Sequence, residues 1–456
     1  MSFKIKNYPL KEINLFKELV AMIVISGMLF ACNDNDNNKN NPGNVIAMDP
    51  GQCDIQVEKN QALWTYLNDR YLWNDDLDQT TDPASFDSLQ ALLDDVKSKN
   101  PLDRWSGVGD SQKQDNFTSR GEVVGFGFNS FMAPSKQALL VAFVYEGSDA
   151  FAAGLRRGDK ILSVNDKPIS EALADGSLAS GNLWGPDEVG TTVYLVWRTV
   201  AGETYNGAVQ KRIVAINTVL HSEIIATESA KVGYFVFSSF IQPSEQNLND
   251  VFEYFSQHNV EQLIIDLRYN GGGSGSIANQ LASQIGGSNV RDKIFANYYH
   301  NANHSDENST ELFNIKGGTF AMELDKIIFL TTAYTASASE MLINNLAPHI
   351  NVKLVGETTH GKPVGFSSPK LCDKQLSVVN INVTNSAGDG NFFQGLPVDC
   401  NAPDSITGDW GDQDDPMLKE ALYLIDNEQC SAVSKSLGQS HKRWLVPNGK
   451  GYFDSF

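Results

Sequence analysis

The chain's 456 residues exceed what one ordinary hydrophobic core accommodates, so two or three domains are expected. With 41% hydrophobic and 10% aromatic residues it can fill sizeable cores, which excludes a disordered protein. A formal charge of −20 repels phosphate backbones and anionic headgroups, so no nucleic-acid partner is expected.

The first element is an export signal. Lys4, Lys6, Lys11 and Lys17 precede an apolar run, Leu19 to Ala31, that is short for a membrane span. The run ends in Leu29-Phe30-Ala31-Cys32 and is followed at once by Asn33-Asp34-Asn35-Asp36. That ending resembles the bacterial lipobox, so residues 1–31 read as a lipoprotein signal peptide and Cys32 as the lipidated first residue. The acidic stretch after Cys32 resembles surface-export tracts of Gram-negative lipoproteins. The expected location is therefore a Gram-negative cell envelope, as an outer-membrane lipoprotein facing the periplasm or the surface.

Residues 32–53 are polar and turn-rich and read as a flexible tether. From 54 to 117 the pattern is helical: Leu63, Tyr66, Leu67, Tyr71 and Leu72 share one face, and Leu89, Leu92, Leu93 and Val96 repeat it. Residues 118–212 alternate short β-like runs with glycine turns. From 213 to 430 strands and helices alternate. Val232–Phe237, Gln262–Leu267, Lys326–Thr331, Val352–Val355 and Leu376–Val383 read as strands, and Ser339–Leu346 and Pro416–Ile425 as helices. An irregular tail, 431–456, completes a multidomain α/β chain.

Export places the remaining cysteines, Cys53, Cys372, Cys400 and Cys430, in an oxidising compartment. Three pairings are possible. Cys372 and Cys400 flank one apolar segment and its return, so 372–400 is the preferred pair, leaving 53–430; four buried thiols are the alternative. No cysteine or histidine spacing resembles a zinc site, and neither a metal nor an organic cofactor is expected.

Three motifs carry chemistry. In Thr335-Ala336-Ser337-Ala338-Ser339-Glu340 a serine stands between a strand and a helix, where the first helical amides can hold an oxyanion. On local residues alone Ser337 and Glu340 fit a helix capping box equally well. Gly361-Lys362-Pro363 offers a lysine that can act as base if burial makes it neutral. Asp266-Leu267-Arg268-Tyr269-Asn270-Gly271-Gly272-Gly273 follows a strand; its glycines supply unhindered amides, and no GK[ST] follows that would make it a phosphate loop.

The order DLRxNxGG, SASE after a strand, then GETxxGK resembles the C-terminal processing (tail-specific) protease family of serine peptidases. That family pairs a serine with a lysine 25 residues later, the separation of Ser337 and Lys362. The resemblance implies a crotonase-like (ββα) protease core, hydrolysis of polypeptides through a Ser–Lys dyad and acyl-enzyme, and oxyanion amides at Ala338 and Gly272. It also implies a small N-terminal helical domain and a PDZ domain. Gly125-Phe126-Gly127-Phe128 is similar to a loop that binds a peptide's terminal carboxylate, and Gly154-Leu155-Arg156-Arg157-Gly158-Asp159-Lys160-Ile161 to the turn and strand that follow. Two positions depart from the family. Phe366 stands where a glutamine often orients the lysine, and His360 is a possible substitute or a plain loop residue. Pro363 replaces a glycine and restricts Lys362 to extended angles. Glu340 and Glu357 read as structural. A non-catalytic peptide- or glycan-binding lipoprotein and a PDZ-dependent chaperone are the alternatives from other classes.

Overall fold

The computed structural model describes residues 46–315, 319–406 and 408–437. The export signal, Cys32 and most of the tether lie outside them, as does the tail beyond 437. Among the described residues no helix is long and apolar enough to cross a membrane.

The central sheet has six strands, in spatial order Val219–Ala226, Lys231–Phe237, Gln262–Asp266, Lys326–Thr331, Asn351–Gly356 and Cys400–Asn401. The first pair is antiparallel and the rest are parallel. Parallel strands covered on both faces read as unbroken apolar runs, and the period of two divides them. Phe235, Phe237, Leu263, Ile265, Ile327 and Phe329 pack with the helices Ser244–Gln257, Gly275–Gly286 and Ala338–Leu346. The intervening Val232, Tyr234, Val236, Ile264, Ile328 and Leu330 pack under the helix Pro416–Asn427. Asp415 caps that helix by accepting the N–H groups of Met417 and Leu418 at 3.0 and 3.1 Å.

The expected strand 376–383 is two strands in different sheets. Lys374–Ser377 pairs with Gly107–Asp110, whereas Ile381–Thr384 pairs with Ile294–Tyr299 and Val364–Gly365. The chain crosses between sheets at Val378–Asn380, where Val379 N–H donates to Ser106 Oγ and Asn380 N–H to the Gly365 carbonyl. An apolar run keeps no record of such a change of partner.

The helices Gln56–Arg70 and Leu89–Lys99 form the predicted N-terminal part. Leu63, Leu67, Leu92, Leu93 and Val96 bury themselves against Leu371, Leu376, Val378 and Val379 of the C-terminal half. The helical part is thus packed on the core. The last residues of the expected tether are also held there, by the Ile46 N–H on the Lys370 carbonyl and by a disulfide at Cys53.

The cysteine pairing differs from the expected one: Cys53 joins Cys372, and Cys400 joins Cys430, with Cα separations of 5.8 and 5.4 Å. Cys372 sits at the turn between the strands Lys370–Leu371 and Lys374–Ser377, beside the incoming N-terminal segment. Cys400 lies in the sheet-edge strand beneath Pro416–Asn427, so its partner comes from just beyond that helix.

The region 118–212 is a β domain of five main strands, Phe128–Met132, Leu139–Val144, Lys160–Val164, Thr192–Arg198 and Thr204–Gln210. Its own core centres on Val141, Leu155, Ile161, Leu195 and Val209. Glu122–Gly125 pairs with Arg212–Ala215 at its junction with the central sheet.

Candidate active site

Ser337 occupies the turn between Lys326–Thr331 and Ala338–Leu346, with φ 55° and ψ −116°. A non-glycine residue held at positive φ is strained, and the surroundings must enforce it. They do so with hydrogen bonds to the neighbouring turns. Ala336 N–H and Ser339 Oγ both donate to the Asn270 carbonyl, at 3.1 and 3.0 Å, and Thr335 Oγ1 donates to the Leu267 carbonyl at 2.8 Å. Glu340 reaches back to the Ser337 N–H at 3.0 Å, as a capping box requires.

The same Glu340 carboxylate, fully buried, also accepts the N–H groups of Gly361 and Lys362, at 2.6 and 2.8 Å, and the Thr359 hydroxyl. One side chain therefore ties the serine turn to the lysine turn. Burial pushes its carboxyl up, and these four donors pull it back only in part. The capping-box reading of Ser337 and the nucleophile reading thus describe one arrangement.

Lys362 is 3% exposed, and its Nζ lies 4.2 Å from the centre of the Phe366 ring. Burial lowers its pKa to about 7, against the pull of the Glu340 and Asp103 carboxylates. Ser337, Ala338, Gly273, Lys362 and Phe366 all line one cavity of about 180 Å³.

The glycine turn meets the serine at close range. Gly272 has φ 105°, and a Cβ there would come within 2.7 Å of Ser337 Cβ and 2.8 Å of Ala338 N, so only glycine fits. Its N–H, however, donates to Asn270 Oδ1 at 2.9 Å, which engages the expected oxyanion donor elsewhere. Gly273, the next residue, lines the cavity, and its N–H donates to no described residue.

His360 does not line the cavity. Trp105 Nε1 donates to its Nε2 at 3.2 Å, which leaves the proton on Nδ1, facing the Ala333 carbonyl at 3.2 Å. Arg104 donates to the carbonyls of Gly361 and Phe393 at 3.0 and 2.9 Å. The segment 103–106 of the N-terminal part therefore braces the lysine turn, a contact with no local signal in the sequence. Glu357 also lies outside the cavity, and burial pushes its carboxyl up to about 7.

In the β domain, Gly127 has φ 88°, and a Cβ there would lie 2.0 Å from Ser148 Cβ, which explains the glycine of the Gly125–Phe128 loop. The rings of Phe126 and Phe128 both pack on Trp184, with centres 5.9 and 5.8 Å away. Cys400, Cys430 and Glu420 cluster at ligand distances, but the sulfurs are joined and Glu420 accepts the Ser431 N–H and hydroxyl.

Behind the glycine turn lies a second buried charge cluster. Arg268, 1% exposed, donates to Asp266, Asp404 and Asp415 at 2.8–3.1 Å. Tyr234 and Tyr269 hydroxyls donate to Asp266 and Asp404 at 2.9 and 2.8 Å. Arg157 of the β domain stacks 3.6 Å over Trp410 beside this cluster.

Known proteins resemble this assembly along most of its length. Residues 231–400 match peptidase family S41, 58–107 the S41 N-terminal domain, and 116–175 the PDZ domain. The chain is 25% identical over 272 residues to a chloroplastic carboxyl-terminal-processing peptidase 3 of Arabidopsis thaliana. It is 22% identical over 311 residues to the carboxy-terminal processing protease CtpA of Bacillus subtilis. These matches cover 58% and 68% of the chain, and 50% and 60% of those curated relatives. Among solved structures, a putative S41 protease from Bacteroides fragilis superposes with a TM-score of 0.67 at 22% identity, covering 80% of this chain and 97% of that one. Fold and domain order together define a PDZ-bearing chain of mixed α/β architecture with the fold of an S41 protease. Residues 231–400 carry the peptidase family S41 match, and the chain is homologous to the carboxyl-terminal processing proteases.

Proposed function

We propose that the protein is a serine endopeptidase that hydrolyses polypeptides, with Ser337 as nucleophile and Lys362 as general base. The observation that carries this reading is a buried lysine of pKa about 7 sharing one cavity with a serine held at a strained turn. Neutral Lys362 takes the hydroxyl proton as Ser337 Oγ bonds to the scissile carbonyl carbon. The oxyanion is met by the Ala338 N–H and by that of Gly273, since Gly272 is engaged by Asn270. Collapse expels the amine, which receives the proton from Lys362, and water then releases the acyl group by the same route. Phe366, in place of an orienting glutamine, holds the lysine through its ring face.

The decisive test is peptide cleavage by the full chain and by Ser337→Ala, read by mass spectrometry. Cleavage should vanish in the variant, and equal cleavage by both would sink the assignment.

The PDZ domain supplies recognition of C-terminal tails through the Gly125–Phe128 loop. Export and lipidation at Cys32 complete the proposal and place the enzyme in a Gram-negative envelope; two disulfides fit an oxidising compartment. Incorporation of a fatty-acid label that survives Cys32→Ser would overturn the anchor.

A further inference from the structure

The cavity beside Ser337 has a floor that the hydrolytic steps leave unused. One wall is the helix Ala338–Leu346, whose Ala338, Met341 and Asn345 line it on successive turns. Val364, Ile381 and Val383 supply an apolar wall.

Asn345 is fully buried. Its Oδ1 accepts from Asn344 Nδ2 at 3.0 Å, and Asn344 Nδ2 also donates to the Asp389 carbonyl at 2.9 Å. The two carbonyl-type acceptors identify that Asn344 atom as nitrogen, which in turn fixes the Asn345 amide. What remains is Asn345 Nδ2, a buried donor with no acceptor among the described residues. Asn345 borders the cavity, and an unpaired donor there favours an occupant that brings an acceptor to it.

We propose that Asn345 selects the residue preceding the scissile bond, favouring a side chain with an apolar stem and a neutral acceptor at its tip: glutamine or tyrosine. The proposal rests on Ser337 as nucleophile, because that places the scissile carbonyl at the start of the helix. Asn345 lies seven residues beyond Ala338, about 10 Å along the axis. Helical side chains lean back toward the N-terminus, so the amide comes within reach of a long side chain but not of alanine or serine. An acidic side chain is disfavoured on chemical grounds. Among the described residues Lys362 is the only cation lining the cavity, and a carboxylate beside it would hold it protonated and out of the reaction.

The test uses the full chain and two pairs of peptides, each pair identical except before the cleaved bond: glutamine against norleucine, and tyrosine against phenylalanine. We expect kcat/KM to favour the acceptor-bearing member by about 10-fold in each pair. Asn345→Leu should bring both ratios to about one or below while still cleaving the norleucine and phenylalanine peptides. Equal cleavage within both pairs by the wild type overturns the proposal and needs no variant; an unchanged preference in Asn345→Leu overturns it as well. Ser337→Ala separates the two levels. If cleavage depends on Ser337 but ignores the tip of the side chain, only the role of Asn345 fails; if cleavage survives Ser337→Ala, the nucleophile assignment fails and this one with it.

Discussion

Two buried basic side chains, Arg268 among its carboxylates and Lys362 at the Ser337 cavity, are treated in opposite ways. Arg268 meets three carboxylates in hydrogen-bond contact; burial alone would lower its pKa, but Asp266, Asp415 and Asp404 hold it well above the usual value. Among the described residues Lys362 has no carboxylate in contact with its ammonium group, only the Phe366 ring, and burial brings it down to about 7. A guanidinium fully neutralised by fork-shaped hydrogen bonds is a structural clamp. An ammonium group left without an ion partner is poised to lose its proton, and this is the condition a general base needs. The same degree of burial gives a fixed charge in one place and a readily titrated amine in the other. The difference lies in whether carboxylates or apolar groups surround the charge.

Replacing both cations with methionine separates these roles most sharply. Lys362→Met should reduce peptide cleavage about a thousandfold or more, and Lys362→Arg, always charged, should not restore it. Arg268→Met leaves three buried carboxylates uncompensated and should cost about 3–5 kcal/mol of stability in urea unfolding. Lys362→Met should not cost stability at pH 6. The folded-state pKa of Lys362 is depressed toward 7, so between about pH 7 and the usual lysine value the unfolded chain binds more protons than the folded one. Wild-type stability contributed by this group therefore rises with pH across that window, and any advantage of the methionine variant should shrink from pH 6 to pH 9. If both variants unfold equally easily, the contrast between clamp and base is wrong.

The inner strands of the central sheet were legible because they are buried on both faces and carry continuous apolar runs, and Lys326–Thr331 was predicted to the residue. The half-exposed edge strand Val219–Ala226 and the two-residue edge strand Cys400–Asn401 carry no such run and were not expected. The candidate turns were legible because each depends on local order: the Ser337 turn, the Lys362 turn and the glycine run that the structure brings to one cavity. What stayed hidden depends on distant partners. The disulfide Cys53–Cys372 spans 319 residues, and the bracing of Gly361 by Arg104 spans 257. The engagement of Gly272 by Asn270 was hidden for another reason: two residues apart, they still require the turn's geometry to be seen. Asn345 carries no pattern at all, since an asparagine on the inner face of a helix shows its loose donor only when its neighbours are placed.

Glu340 joins the two halves of the site, and changing it sharpens the comparison at a smaller scale. Glu340→Gln keeps the shape but replaces one acceptor oxygen with a donor, facing N–H groups that come from Ser337, Gly361 and Lys362. Cleavage should fall about 10- to 100-fold. The carboxylate also raises the Lys362 pKa, so without it the lysine should lose its proton at lower pH. The acid limb of kcat/KM against pH should accordingly shift to lower pH even as the plateau drops. A lowered plateau with an unmoved limb would mean that Glu340 acts on geometry alone.

The smallest effect belongs to the N-terminal brace. Trp105→Phe keeps the ring but removes the hydrogen bond to His360 Nε2, one neutral contact among several that hold the lysine turn. A loss of about 1 kcal/mol in stability is expected, with a few-fold loss in cleavage. The pH profile should stay where it was, because neither residue lines the cavity and the apolar surroundings of Lys362 are untouched. A moved profile in Trp105→Phe would place His360 in the proton pathway. An unmoved one leaves it as the loop residue that fastens the N-terminal part to the core, and leaves Lys362 with burial as its main tuning force.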